Sequence, residues 1–210
     1  MQAGGKEDVL VVVDLQRDFC SGGALAVPEG DAVVAPVNRL IARFRHVILT
    51  QDWHPADHSS FAVHQPGRQP FDVISMPYGE QRLWPTHCVI GTPGAEFHPQ
   101  LAATRAELIL RKGFRREVDS YSAFVENDHA TPTGLAGYLR ERGLRRVFLA
   151  GLATDYCVGF SALDARRLGF EAWVVADATR AVDPGASMLR MQQQLAAVGV
   201  ASLTSDALLA

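Results

Sequence analysis

The chain alternates between short apolar runs and longer stretches of helical spacing, and that alternation sets the first expectation. Val9 to Val13 is an unbroken β-branched and apolar run, as expected of a strand buried on both faces of a parallel sheet. A loop rich in Gly and Ala (21–30) follows, then a helix is predicted over about 31–44, with Val34, Val37, Leu40, Ile41 and Phe44 on one face. Further strands are predicted at 47–50, 107–110, 147–153, 172–176 and 200–203. Helices are predicted near 134–142, 157–168 and 185–197. Six strands alternating with helices predict an α/β fold, a doubly wound and mostly parallel sheet in one domain spanning 1–210.

Between 53 and 101 the pattern breaks down. Seven of the eleven prolines and five of the seven histidines lie there, with little sustained periodicity. An irregular stretch of that length inside an α/β chain reads as a lid or binding loop.

Composition narrows the class of protein. With 210 residues, 48% of them hydrophobic, a single core is expected. A net charge of −3 gives no basic excess, so no nucleic-acid partner is expected, and no apolar run approaches the length of a membrane span. The first residues, Met1 to Asp8, are polar and do not resemble a signal peptide. Three cysteines, Cys20, Cys88 and Cys157, suit a reducing compartment. A cytoplasmic protein is expected; a homo-oligomer is left open.

The chemistry gathers at the ends of the predicted strands. Asp14, Lys112 and Cys157 each fall at or just past a strand's C-terminal end. In an open α/β sheet those ends face one crevice. A cysteine in the turn after the 147–153 strand, at the start of a helix, is expected to be favoured as thiolate by free N–H groups and the helix dipole. Lys112 would stabilise that thiolate and Asp14 would shuttle its proton. A second set begins with Asp52-Trp53-His54. Carboxylate and imidazole suit Zn²⁺, Fe²⁺ or Mn²⁺, with the third ligand open among His58, His64 and His87. Phe19, Trp53, Trp84 and Tyr156 flank these positions and suit a flat ring as substrate.

With these residues in place, the chain resembles the isochorismatase-like cysteine hydrolase superfamily, and within it the nicotinamidase (pyrazinamidase) branch. The resemblance runs from about Val9 to Asp206. It rests on Val13-Asp14-Leu15-Gln16-Arg17-Asp18-Phe19, Thr50-Gln51-Asp52-Trp53-His54-Pro55, Trp84-Pro85-Thr86-His87-Cys88-Val89, Gly91-Thr92-Pro93-Gly94-Ala95, Arg111-Lys112-Gly113, Asp119-Ser120-Tyr121-Ser122-Ala123-Phe124 and Gly151 to Val158. It implies a triad of Asp14, Lys112 and Cys157, and one divalent ion, zinc foremost with iron or manganese as alternatives, on Asp52, His54 and His87. The segment 52–101 then becomes a metal-binding loop region. His58 matches a position that adds a ligand in some members, and Ser60 one that reaches the ion through water. The resemblance also implies an oxyanion hole of the Ala153 and Cys157 N–H groups after a cis Leu152–Ala153 peptide, with ring contacts from Phe19 and Trp84 and with Tyr156 near the pocket. His64, His98 and His129 read as surface or loop residues, and Cys20 and Cys88 as non-catalytic. The implied reaction converts nicotinamide, and pyrazinamide as well, to the acid and ammonia through a thioester. The rival expectations are an amidase of the same superfamily acting on a carbamoyl or ureido substrate without metal, and a non-catalytic metal or thiol protein.

Overall fold

The structure is a computed structural model and describes residues 4–210. In chain order, β1 is Asp8–Val13, α1 Val34–Arg43 and β2 His46–Asp52. A small hairpin follows, β3 Val73–Met76 and β4 Gly79–Arg82. Next come β5 Leu108–Lys112, α2 Leu135–Glu141, β6 Arg146–Leu152 and α3 Gly159–Arg167. The chain ends with β7 Glu171–Arg180, α4 Ala186–Ala197, β8 Ala201–Leu203 and α5 Ser205–Leu209.

Six strands form one sheet in the order β5-β2-β1-β6-β7-β8, and every pairing in it is parallel. All six residues of β1 are buried because helices cover both faces. On one face Leu10, Val12, Val47 and Leu49 meet the apolar stripe of α1, Val34, Val37, Leu40 and Ile41. On the other, Val9, Val11 and Val13 pack with Leu135 and Leu139 of α2, Ala162 of α3 and Met191 and Leu195 of α4. Each such side chain contributes about 1.5–3 kcal/mol by leaving water. A charge placed at Val11, at the centre of the central strand, would remove that gain and bury an unpaired ion.

The predicted strands and helices are present with shifted ends. The helix expected from Asp31 begins as a 3₁₀ turn at Gly30–Val33 and becomes α-helical at Val34. Two elements went unpredicted. The β3–β4 hairpin is anchored by Gln81, the one buried residue of its strands, through hydrogen bonds to Asp119 (2.8 Å) and the Tyr121 hydroxyl (3.0 Å). A polar anchor leaves no hydrophobic alternation to read. The five-residue α5 is too short to show a period; Leu208 is buried in the α1-side core, and the Asp177 carboxylate accepts the Ser205 N–H at 2.6 Å.

Candidate active site

Four adjacent strands, β5-β2-β1-β6, each deliver one reactive side chain at the same edge of the sheet. Lys112 is the last residue of β5 and Asp52 the last of β2. Asp14 follows β1, and Cys157 lies in the wide turn Thr154–Val158 after β6. The Lys112 ammonium is fully buried, 2.8 Å from Asp14 Oδ2, 2.5 Å from Asp52 Oδ1, 2.8 Å from the Ser120 carbonyl and 3.4 Å from Cys157 Sγ. Asp14 takes a left-handed backbone (φ 45°). Its carboxylate accepts the Thr50 hydroxyl at 2.5 Å, and its N–H is given to the same oxygen at 3.1 Å.

Burial and charge set the protonation of this group. Burial pushes the Asp14 carboxyl above its ordinary range by more than Lys112 pulls it down, and Asp52 adds to the rise. Burial acts on Asp52 in the same direction, yet Lys112 and then His54 outweigh it and hold that carboxyl well below the usual carboxylate range. Burial opposes the charge on Lys112, but Asp14 and Asp52 outweigh it and keep the ammonium charged. Cys157 differs from the sequence expectation. Burial, opposed by Lys112 but assisted by Asp14 and Asp52, holds its thiol well above the ordinary value. The resting sulfur is therefore protonated, and a nucleophile forms when its proton passes to Asp14. The residue also sits in a π-type turn, one residue pair before α3, instead of within the helix itself.

Beside the triad, Asp52 Oδ2 lies 3.7 Å from His54 Nε2 and 3.8 Å from His87 Nε2. His54 Nδ1 faces the Gly113 carbonyl and His87 Nδ1 the Pro85 carbonyl, each at 2.8 Å. A carbonyl only accepts, so each Nδ1 carries the proton, and each Nε2 turns a lone pair toward Asp52. Two lone pairs and a carboxylate oxygen facing one point call for a cation. The same field acts on His54, where Asp52 overcomes the effect of burial and raises the imidazole pKa. Metal–ligand bonds of about 2.0–2.2 Å suit such a triangle, so these residues fit a divalent ion. Gly113 (φ +67°) permits the arrangement, since a Cβ there would lie 2.5 Å from His54 Cε1.

His58 stands next to this set, its ring 4.4 Å from that of His54. Its Nδ1 meets the Ser60 hydroxyl at 2.7 Å, while its buried Nε2 has no partner among the described residues. Burial first, and His54 second, bring its pKa down to about 4, so the ring is neutral at pH 7. Its Nδ1 also accepts the Ser60 N–H at 3.3 Å, so in the neutral ring Nε2 carries the proton and faces the site as a donor, suited to an ion's water; Ser60 is engaged with His58.

A small cavity joins the two sets. Cys157, Ala153, Asp52, His54 and His87 form its reactive wall, and Phe19, Trp84 and Tyr156 its aromatic wall. Its volume is about 20 Å³, close to that of one or two water sites. The Leu152–Ala153 peptide is cis. Sequence reasoning missed Asp119 and Tyr121, which also line the cavity. The Tyr121 hydroxyl accepts Trp84 Nε1 at 3.2 Å. Both residues lie inside a quoted motif, but only their long-range partners reveal a role. Trp53, taken from sequence as a ring contact, instead carries the Arg111 guanidinium 3.9 Å above its ring.

The remaining histidines and cysteines stay outside. His64 is exposed on Ala56 O, and Cys88 is buried and unpaired. Cys20, Asp31 and His98 come together in a second group. There, however, His98 Nδ1 accepts the Gln100 N–H (3.2 Å), so Nε2 gives its proton to Asp31 (3.3 Å). That arrangement is a hydrogen-bonded strut with no lone pair left on the imidazole to coordinate. A larger hollow of about 580 Å³ between α4, β7 and β8 has no Cys or His in its wall.

The fold and this site define a class of protein. The chain belongs to the isochorismatase family, whose isochorismatase domain matches residues 8–206. Among individual relatives, it is 50% identical to the nicotinamidase of Acinetobacter baylyi over 196 residues, 93% of this chain and 92% of that one. Its structure is similar to that of the Acinetobacter baumanii nicotinamidase/pyrazinamidase, with TM-score 0.96, 48% identity and coverage of 97% of this chain and 99% of that one. It is also similar to the Pyrococcus horikoshii pyrazinamidase in complex with zinc, with TM-score 0.77, 37% identity and coverage of 94% and 99%.

Proposed function

We propose that this protein hydrolyses nicotinamide to nicotinate and ammonia, accepts pyrazinamide as a second substrate, and serves NAD salvage in the cytoplasm. The observation that carries the reading is the Lys112 ammonium in contact with Asp14, Asp52 and Cys157 at once. Relatives named for the same activity, over nearly the whole chain, support it. Residues 1–210 would act as one catalytic domain, with 52–101 as its metal-binding loop region. The three free cysteines suit a reducing interior. Among the described residues no helix is long and apolar enough to cross a membrane.

Asp52, His54 and His87 would hold the ion, zinc foremost, with His58 beside it. Bound there, a divalent cation supplies a fixed Lewis-acid anchor for a ring nitrogen. Phe19, Trp84 and Tyr156 hold the ring flat and leave the carboxamide over Cys157. Asp14 takes the thiol proton as sulfur attacks the amide carbon. Lys112 balances the charge of the thiolate while it lasts. The Ala153 and Cys157 N–H groups receive the oxyanion; a single donor of this kind contributes about 2.7–4 kcal/mol in enzymes where it has been removed. Asp14 passes its proton to the departing nitrogen, ammonia leaves, and a thioester remains on Cys157. Asp14 then takes a proton from water as it attacks the thioester, nicotinate departs, and the thiol is restored.

Ammonia release from nicotinamide, measured on metal-replete and chelator-treated protein, tests the reading. Turnover is expected only in the replete form, and equal rates would favour a metal-independent amidase. Cys157→Ala should abolish turnover while ring binding and metal content persist. Substantial residual turnover in that variant would remove the covalent route.

A further inference from the structure

Two residues of the Asp14–Phe19 motif take no part in the chemistry above, yet both are tied to the metal-ligand segments. The β1–β2 ladder stops at the pair Val12–Leu49, so the Asp52 peptide has no backbone partner on its β1 side. The Gln16 side chain fills that place. Gln16 Oε1 accepts the Asp52 N–H at 2.8 Å, and Gln16 Nε2 donates to the Asp52 carbonyl at 2.8 Å. The second Nε2 proton goes to the Ala95 carbonyl at 2.9 Å. Gln16 is fully buried, so each of these bonds forms away from competing water.

Two residues on, Asp18 does the same for the histidines. Its Oδ2 accepts the N–H of Cys88, the residue after His87, at 2.7 Å. The Cys88 carbonyl in turn accepts the His54 N–H at 3.1 Å. Cys88 takes a left-handed backbone (φ 45°), a conformation that a β-carbon disfavours and that its surroundings must hold in place. Gly94 makes room for the Asp18 carboxylate, since a Cβ there would lie 2.1 Å from Oδ2. One short turn therefore holds the backbone at Asp52 directly, and those of His87 and His54 through Cys88.

We propose that Gln16 and Asp18 are positioning residues that set the triangle of Asp52, His54 and His87 and so tune its affinity for the ion. The proposal rests on the reading that this trio is the metal site. Neither side chain is a ligand; Gln16 acts through the main chain of Asp52, and Asp18 through that of Cys88, the residue after His87. Outer groups that orient metal ligands are worth about 10–100-fold in affinity.

The test uses full-length, metal-stripped protein titrated with Co²⁺ and Zn²⁺ in competition with a chromophoric chelator. The visible Co²⁺ bands report ligand geometry. Gln16→Leu and Asp18→Ala are expected to lose about 10–100-fold in affinity and to shift those bands. Asp18→Asn keeps an acceptor oxygen for the Cys88 N–H and should restore most of the loss. Arg17→Ala, in the same turn but exposed, should match wild type. Gln16→Glu keeps the shape and the acceptor but loses both donors, and it serves if Gln16→Leu does not fold; an intermediate affinity is expected. Wild-type affinity and unshifted bands in the folded Gln16 and Asp18 variants would overturn the proposal alone. Equal loss in every variant, Arg17→Ala included, would overturn it too, by assigning the effect to loop stability. Absence of Co²⁺ and Zn²⁺ binding by wild type would remove the metal site itself, and the proposal with it.

Discussion

Replacing Lys112 by methionine probes the centre of the site with little change in volume. The buried ammonium touches Asp14 at 2.8 Å and Asp52 at 2.5 Å, with side-chain exposures of 0% for Lys112 and 0% and 6% for its partners. Lys112→Met leaves two carboxylates together with no cation. Removing one partner of a buried ion pair costs about 3–5 kcal/mol, against a whole-domain stability of about 5–15 kcal/mol. For a chain of this size that corresponds to a fall in Tm of about 6–20 °C. The loss should shrink as pH falls, because the Asp14 carboxyl, already raised by burial, takes up a proton more readily and so ends the repulsion. Asp14→Asn combined with Lys112→Met should recover much of the stability and none of the turnover. The single variant should lose about 10²–10³ in kcat, the range expected when one group that stabilises developing charge is removed. The assays are urea unfolding of metal-stripped protein at pH 8 and pH 5, and ammonia release at pH 7.5. A stability loss below about 1 kcal/mol at pH 8, or a kcat within tenfold of wild type, would refute the placement of the ammonium at the centre of the site.

Two further outcomes are expected. Gly113→Ala should lower metal affinity and Tm together, because the new Cβ presses on the His54 ring at 2.5 Å and the φ of +67° disfavours a side chain; isothermal titration with Zn²⁺ that matches wild type would count against it. His58 titrates at about 4 in the fold and near 6.5 when unfolded, so metal-stripped protein should lose stability as pH falls from about 6.5 to 4, on the order of 3 kcal/mol, with no further loss from this group below that window. His58→Asn should flatten that part of the urea-midpoint profile, and an unchanged slope would refute the assignment.

Much of this site was legible along the chain, for a definite reason. Parallel strands are buried on both faces, so their runs are continuous, and their ends fix where Asp14, Lys112 and Cys157 must lie. Asp52 and His54 were readable because strand geometry turns alternate residues the same way. His87 was placed only by resemblance, since nothing in the spacing of an irregular loop points to its partner. Gln81, Asp119 and Tyr121 were missed because each matters through a hydrogen bond to a distant segment, and such bonds leave no period. The charge on Cys157 was misread for a related reason. The helix-end argument is local, whereas the burial that keeps the thiol protonated, and the Asp14 and Asp52 carboxylates that assist it, come from other segments of the fold.

The lateral order β5-β2-β1-β6 has a bearing on how this catalyst can change. Neighbouring parallel strands are held about 4.8 Å apart by their ladders, so the intervals between ammonium, carboxylates and sulfur are ruled by main-chain spacing. Substitutions in the aromatic wall can remodel which ring is admitted without moving that ruler. The scaffold thereby separates the bond it breaks from the molecule it chooses, and the second can diverge while the first stays constant.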